Sequence, residues 1–196
     1  MGDPYLDPQT GVLKNKLGIT SLAEFEKLEF EVSALRDTQL TRSPLPGRFN
    51  LDHLCSIHAY LFQDIFDWAG FIRTVSISKS DSWFCLPEYI ESESSKVFEL
   101  ISQHGNMRNL DKSDVVAALA EFLGELNALH PFREGNGRTQ RSFVRQLAAT
   151  AGWRLDWTDL EIDENINASI ASMNKDYKPF ERLLEPRVTV IRWVVR

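Results

Sequence analysis

Twelve consecutive residues hold most of the chemistry this chain could perform: His130-Pro131-Phe132-Arg133-Glu134-Gly135-Asn136-Gly137-Arg138-Thr139-Gln140-Arg141. Apolar-periodic runs lead in over 115–129 and out over 143–151, so the segment closes one helix and opens the next. Gly135 and Gly137 bracket Asn136, and such a turn can aim successive backbone N–H groups at one point. The unpaired N–H groups of the opening helix, and its dipole, favour negative charge at the same place. The pattern predicts an anion cradle, most simply for phosphates.

The charged residues sharpen that expectation. Arg138, Arg141 and Arg145 recur at i, i+3 and i+7 and share one stripe of the second helix, while Phe143, Val144, Leu147 and Ala148 take the other side. A cation in a helix's first turn is unfavourable by about 0.3–1 kcal/mol, so Arg138 and Arg141 make sense in front of a polyanion. Glu134 would repel that polyanion. A divalent cation between carboxylate and phosphate removes the conflict, and Mg²⁺ binds in this way with few protein ligands. His130 stands at the mouth of the loop and can accept a proton near neutral pH. Taken singly, these residues also serve as turns, caps and solvated arginines; their conjunction in one short segment points to function.

The segment resembles the signature of the Fic family, His-Pro-Phe-x-Asp/Glu-Gly-Asn-Gly-Arg-x-x-Arg, at every fixed position. Further similarity lies in Asp3-Pro4-Tyr5, Asn15-Lys16-Leu17-Gly18-Ile19, the stretch from His58 to Trp68-Ala69-Gly70, and Arg73-Thr74-Val75. The resemblance implies the Fic fold, a mainly α bundle around a helix-loop-helix, with a small β-hairpin flap. It implies transfer of AMP from ATP to a Tyr, Thr or Ser hydroxyl of a target protein, with Mg²⁺. His130 is then the base and Glu134 the metal ligand. Gly135, Asn136 and Gly137 form the cradle, Arg138 reaches the β-phosphate and Arg141 the γ-phosphate. Arg133 and the hairpin-tip residues Lys79 and Ser80 join the nucleotide-binding set, although the family often has Lys-Gly at that tip. The target would lie as an extended segment on the flap, and short bacterial Fic toxins suggest a type II topoisomerase subunit. Two alternatives are a Doc-like kinase and a Fic domain that binds without catalysis; the intact signature favours AMP transfer.

The elements that position the motif follow from periodicity. Leu22, Phe25, Leu28, Val32 and Leu35 predict a helix over 22–40, with Ser21 and Glu24 at capping-box spacing. Asn50 or Asp52 caps a second helix with Leu51, Leu54, Ile57, Leu61, Ile65 and Trp68 inward, ended by Gly70. His53 and His58 on it are expected to be structural. Residues 71–77 and 83–86 suit two strands around a polar turn. Pro87 opens a helix to about Ser102, and the helix begun at 111–113 delivers His130. Residues 153–160 read as a loop, 164–174 and 177–185 as helices. Asn165, Asn167 and Ser169 suit either contacts to a nucleotide base or an ordinary polar surface. Residues 188–196 suit a frayed tail or an edge strand.

One domain is expected over 1–196, with a core of about 3–185 and a tail at 186–196. The net charge of −6 argues against a general nucleic-acid or membrane-surface binder. Cys55 and Cys85 form no disulfide framework or metal cluster and read as free thiols of a reducing, bacterial cytoplasm. No apolar run approaches the roughly 20 residues of a membrane span, and Met1-Gly2-Asp3-Pro4 opens no signal peptide. Many Fic proteins also resemble one another in a Ser/Thr-x-x-x-Glu-Gly/Asn helix whose glutamate pairs with the second signature arginine. Thr20 and Glu24 come nearest here, but Phe25 follows. A small antitoxin-like inhibitor acting in trans on Arg141 is therefore expected.

Overall fold

Helix α4 (Lys112–Leu129) is buried along most of its length, on more than one face. Its apolar residues, among them Val115, Leu119, Phe122, Leu123 and Leu126, are almost completely removed from solvent. A helix apolar on more than one stripe belongs at the centre of a bundle. The computed structural model, which describes residues 2–79 and 82–191, shows this arrangement. Helix α3 (Ile90–Gln103) packs on one side of α4, and α6 (Ile162–Ser172) and α7 (Lys178–Leu184) on another. Helix α5 (Asn136–Thr150) follows the motif loop and lies between α4 and the pair α1 (Leu22–Arg42) and α2 (Leu51–Phe62). Phe143 of α5 joins the layers: Phe49, Phe98 and Phe122 all meet its ring at 5.5–5.7 Å between centroids, within the range of favourable aromatic packing. The mainly helical expectation holds.

Several boundaries differ from the sequence reading, each for a tertiary reason. Helix α2 stops at Phe62, not at Trp68. Beyond it the backbone serves other partners: Ile65 accepts the N–H of Lys16 at 2.8 Å, and Gly70, at φ +86°, donates to His58 Nδ1 at 2.8 Å. Asn50 caps α2 as expected, accepting from the His53 N–H at 3.1 Å, whereas Ser21 makes no side-chain cap on α1.

The hairpin is shorter than its β-branched residues suggest. Only β1 (Ser78–Lys79) and β2 (Ser82–Trp83) pair, antiparallel, with Ser78 opposite Trp83. Beyond one cross-bond, from the Phe84 N–H to Ile77 O at 3.3 Å, its stems bond to the motif region: the Arg73 N–H donates to Pro131 O and the Cys85 N–H to Ala128 O, both at 2.9 Å. The expected 153–160 loop begins with β3 (Trp153–Leu155), which pairs antiparallel with β4 (Val188–Val190). The edge-strand reading of 188–190 is therefore the one realised; residues 192–196 lie outside the described residues. Among the described residues no helix is long and apolar enough to cross a membrane.

Candidate active site

The loop between α4 and α5 is fixed from within. His130 ends α4 in the left-handed region, φ 44° and ψ 62°, with its N–H still bonded to Leu126 O at 3.1 Å. Pro131 excludes a continued helix, since the residue before a proline is driven out of the α region. Phe132, 1% exposed, drives its ring into the core and stacks on His58 at 3.9 Å. The buried Asn136 side chain then closes the loop on itself. Its Oδ1 accepts the Phe132 N–H at 2.9 Å and its Nδ2 donates to Phe132 O at 2.7 Å. The Asn136 amide is spent on this pair rather than offered to a ligand. His58 supports the loop from α2: with Nδ1 accepting from Gly70, its proton sits on Nε2, which donates to Glu134 O at 3.0 Å. Burial pushes the His58 pKa down to about 3, so it stays neutral as this bridge requires. Both expectations for His53 and His58 as structural residues hold: His53 is buried against Leu45 O and Phe143.

Above the loop lies a cleft of about 600 Å³. The motif contributes His130, Arg133, Glu134, Asn136, Gly137 and Gln140 to its lining. The hairpin contributes Lys79 and Phe84, and α6 contributes Asn165 and Ser169. Asn167 is not among the lining residues. Ser80, the other tip residue, lies outside the described residues. Asp3 reaches in from the N-terminal arm and holds Arg133 in an ion pair at 2.8 Å.

His130 is chemically poised. Its Nδ1 lies 3.2 Å from Asn127 O. A carbonyl can only accept, so the proton sits on Nδ1 and Nε2 keeps its lone pair. Burial, with help from the charges of Arg73 and Lys79, pushes the pKa down to about 4. The ring of Phe84 lies against the imidazole, 3.8 Å between centroids and 20° from parallel. His130 is thus a neutral base with its basic nitrogen available.

The first turn of α5 offers donors. The N–H groups of Asn136, Gly137 and Arg138 have no acceptor among the described residues, as a helix start requires. Gly135 precedes them at φ +79°, and its N–H is taken by Glu134 Oε1 at 2.9 Å. The two signature arginines stand differently. Arg138 is occupied: Nη1 donates to Glu29 Oε2 at 2.6 Å and to Ser33 Oγ at 2.9 Å, and the guanidinium lies 5.0 Å above the Phe62 ring. Glu29 is buried in α1, and burial raises its pKa against the pull of Arg138. Arg145 is likewise paired, with both oxygens of Asp37, at 2.7 and 3.0 Å. Arg141, between them, has no ion pair or side-chain hydrogen bond among the described residues. Its pKa is lowered, first by burial and then by Arg138. Its Nη1 sits 3.3 Å from where a Cβ on Gly137 would stand, so it adjoins the cradle from behind. Neither Arg138 nor Arg141 lines the cleft itself.

The comparisons with known proteins agree with this geometry. The Fic/DOC family model matches residues 48–148, which span α2 to α5. The chain belongs to the Fic/DOC family. It is 36% identical, over 97% of its own length and 94% of the relative's, to the "Probable protein adenylyltransferase Fic" of Salmonella typhimurium. It is 44% identical over 87% of its length to the protein adenylyltransferase VbhT of Bartonella schoenbuchensis, of which it spans only 36%. Among solved structures, the BepC protein of Bartonella tribocorum with bound AMPPNP superposes with a TM-score of 0.88. It has 25% identity and covers 96% of this chain and 97% of that one. The fold described above is thus shared with a solved Fic structure.

Several residues of the site were not visible as such in the sequence. Glu29 and Ser33 are polar residues on the buried face of α1, in line with Phe25 and Leu40, and only the crossing of α1 over α5 reveals them as the partners of Arg138. Phe84 reads as one more strand residue. Arg73 was visible within the family resemblance but carried no assigned role.

Gly135→Ala should lower stability by about 2–4 kcal/mol, from a strained left-handed φ and an overpacked Cβ. The new Cβ would fall 2.4 Å from the Phe62 ring. Gly137→Ala, which meets only the mobile end of Arg141, should stay within about 0.5 kcal/mol of the parent. Urea unfolding of the two variants distinguishes these outcomes.

Proposed function

We propose that this chain, a protein adenylyltransferase of the Fic/DOC family, moves AMP from ATP to a Ser, Thr or Tyr hydroxyl of a target protein, with His130 as general base. The observation that carries the reading is the His130 tautomer, with an unprotonated Nε2 on the cleft that the motif loop also lines. In the step, Nε2 takes the hydroxyl proton, the hydroxyl oxygen bonds to the α-phosphorus, and the bond to the bridging oxygen breaks. Pyrophosphate leaves. Such reactions depend mainly on positioning and on neutralising phosphate charge.

The N–H groups of Asn136 and Gly137 would receive phosphate oxygens, with Gly135 joining them once Glu134 turns away. Arg141, lacking a counter-ion, suits the γ-phosphate. Arg138 would share its guanidinium between Glu29 and the β-phosphate. Lys79 lines the cleft from the hairpin, and the target would lie along that hairpin by strand addition; Arg133 and Ser80 complete the nucleotide-binding set. Mg²⁺ fits one role only. Among the described residues no three metal-binding side chains cluster, so the protein alone does not form a cage. Asp3, the other carboxylate of the cleft, is paired with Arg133, whereas Glu134 together with phosphate oxygens does suit this cation, which would supply charge neutralisation at the α- and β-phosphates. A type II topoisomerase subunit is the first target to test, in the bacterial cytoplasm.

Incubation with bacterial lysate and ATP labelled at the α- or the γ-phosphate tests the reaction. Label on protein from the α-position only is expected; label from γ alone would indicate phosphoryl transfer, and label from neither a binding domain. His130→Ala should reduce labelling by about 10²–10⁴-fold with nucleotide binding retained. In the parent, a base must be unprotonated, so activity should persist as the pH falls below 6 and fail only near pH 4, the lowered value for His130. A half-loss near 6.5 would overturn the assignment of a desolvated base.

Glu134→Ala should transfer slowly and respond little to added Mg²⁺. An unchanged metal titration curve would remove Glu134 as the ligand. The bare guanidinium of Arg141 also suits a carboxylate brought by a small antitoxin-like inhibitor, a charge-assisted pair that is often bidentate. Co-expression with the polypeptide encoded beside it should silence labelling and yield a stable complex, and Arg141→Ala should abolish that complex.

A further inference from the structure

Arg73 is the largest fully buried side chain of the described residues, at 1% exposure. No carboxylate pairs with it among the described residues. Instead its guanidinium serves three backbone carbonyls. Nε donates to His130 O at 2.9 Å, Nη1 to Val75 O at 2.7 Å, and Nη2 to Cys85 O. Its own N–H donates to Pro131 O at 2.9 Å. Val75 lies on the stem entering the hairpin and Cys85 on the stem leaving it. A further bond, from the Cys85 N–H to Ala128 O, ties the second stem to the last turn of α4. Between the stems, Phe84 lies against the His130 imidazole.

Burying an unpaired guanidinium is costly, and carbonyl acceptors offset only part of that cost. A neutral residue would be the cheaper way to fill this space. A planar cation with five donors in a fixed fork is needed only if three separate chain segments must be held at set distances and directions. The three segments are the two hairpin stems and the residue that carries the base.

We propose that Arg73 is a positioning residue of the transfer reaction, fastening both stems of the target-holding hairpin to the backbone of His130 so that hairpin and base move as one body. The proposal rests on the reading above, in which His130 is the base and the hairpin holds the target. On this arrangement a target segment laid along β1 and β2 finds Nε2 at a fixed offset, because hairpin and imidazole share one anchor. The nucleotide cradle lies outside the clamp. Asn136, Gly137 and Arg141 make no bond to Arg73. Loss of the clamp therefore acts first on transfer to protein, and reaches nucleotide binding only through the hairpin residues Lys79 and Ser80.

The test uses the full chain and two substitutions. Arg73→Lys keeps the charge but has a single point of donation; Arg73→Met removes both charge and donors. Binding of AMPPNP is measured beside the rate of protein labelling from α-labelled ATP in bacterial lysate. Arg73→Lys should label at least tenfold more slowly, and Arg73→Met more slowly still, with AMPPNP affinity falling by much less than labelling, because only the hairpin residues of the nucleotide set are released. Parallel loss of nucleotide affinity and labelling would overturn the proposal, because Arg73 would then serve general stability. So would labelling by Arg73→Lys at the parent rate.

A measurement on the unsubstituted protein covers the case in which the variants do not fold. In native-state hydrogen exchange, the amides of Arg73, Phe84 and Cys85 should open together with that of His130, at one common denaturant dependence. Independent opening of the hairpin amides would refute the shared anchor. His130→Ala separates the two layers of the argument. If it labels at the parent rate, the reading of His130 as base fails, whatever the exchange data say about the clamp.

Discussion

The reciprocal bond between the Asn136 side chain and the Phe132 backbone is the constraint on which the site depends. An amide that donates and accepts across four residues ties the loop into a ring, and both of its contacts are buried. Buried polar groups that are fully satisfied rigidify their surroundings, whereas half-satisfied ones are costly. The ring sets the direction in which α5 begins, and with it the three unpaired N–H groups of the first turn. It also fixes Phe132 in the core, and Phe132 in turn seats His58 beneath Glu134. Loop, cradle and metal-ligand candidate therefore share one origin.

Electrostatics divide the three arginines of the α5 stripe into two cases. Arg138 and Arg145 sit against carboxylates of α1, at Glu29 and Asp37, and so help to dock α1 on α5. Arg141 lies between them without a side-chain partner among the described residues, its charged form disfavoured first by burial and then by Arg138 and Arg145. The same helix thus docks on α1 through its first and third arginines, while the second takes no part in that contact. Arg73 repeats the theme on the other side of the loop, where a buried cation is compensated by carbonyls alone.

Much of this was legible in the sequence. The position of the loop, the family and the helical class all followed from short-range rules about caps, glycines and 3.6-residue periodicity, and from a resemblance carried by contiguous residues. The helices around the motif were expected close to where they lie. Errors fell where the backbone was claimed by distant partners. Helix α2 ended early because Lys16 and His58 took bonds from the chain beyond it. The strands of the hairpin were short because their stems bonded to Pro131 and Ala128. The β3 strand was missed because its partner lies more than thirty residues away, at Val188–Val190.

By itself, then, the sequence determined which residues could do chemistry and the local turn that gathers them, because those properties depend on neighbours within one or two helical turns. Only the tertiary structure decided how each is used. It assigned Arg138 to Glu29 and left Arg141 without a counter-ion among the described residues, although the two are identical residues three positions apart. It spent the Asn136 amide on the loop, chose the tautomer of His130 through a carbonyl of α4, and placed Phe84 and Arg73 around that histidine. These choices turn on which buried donors meet which acceptors. That matching is set by helices and stems crossing at long range, where no sequence period carries the information.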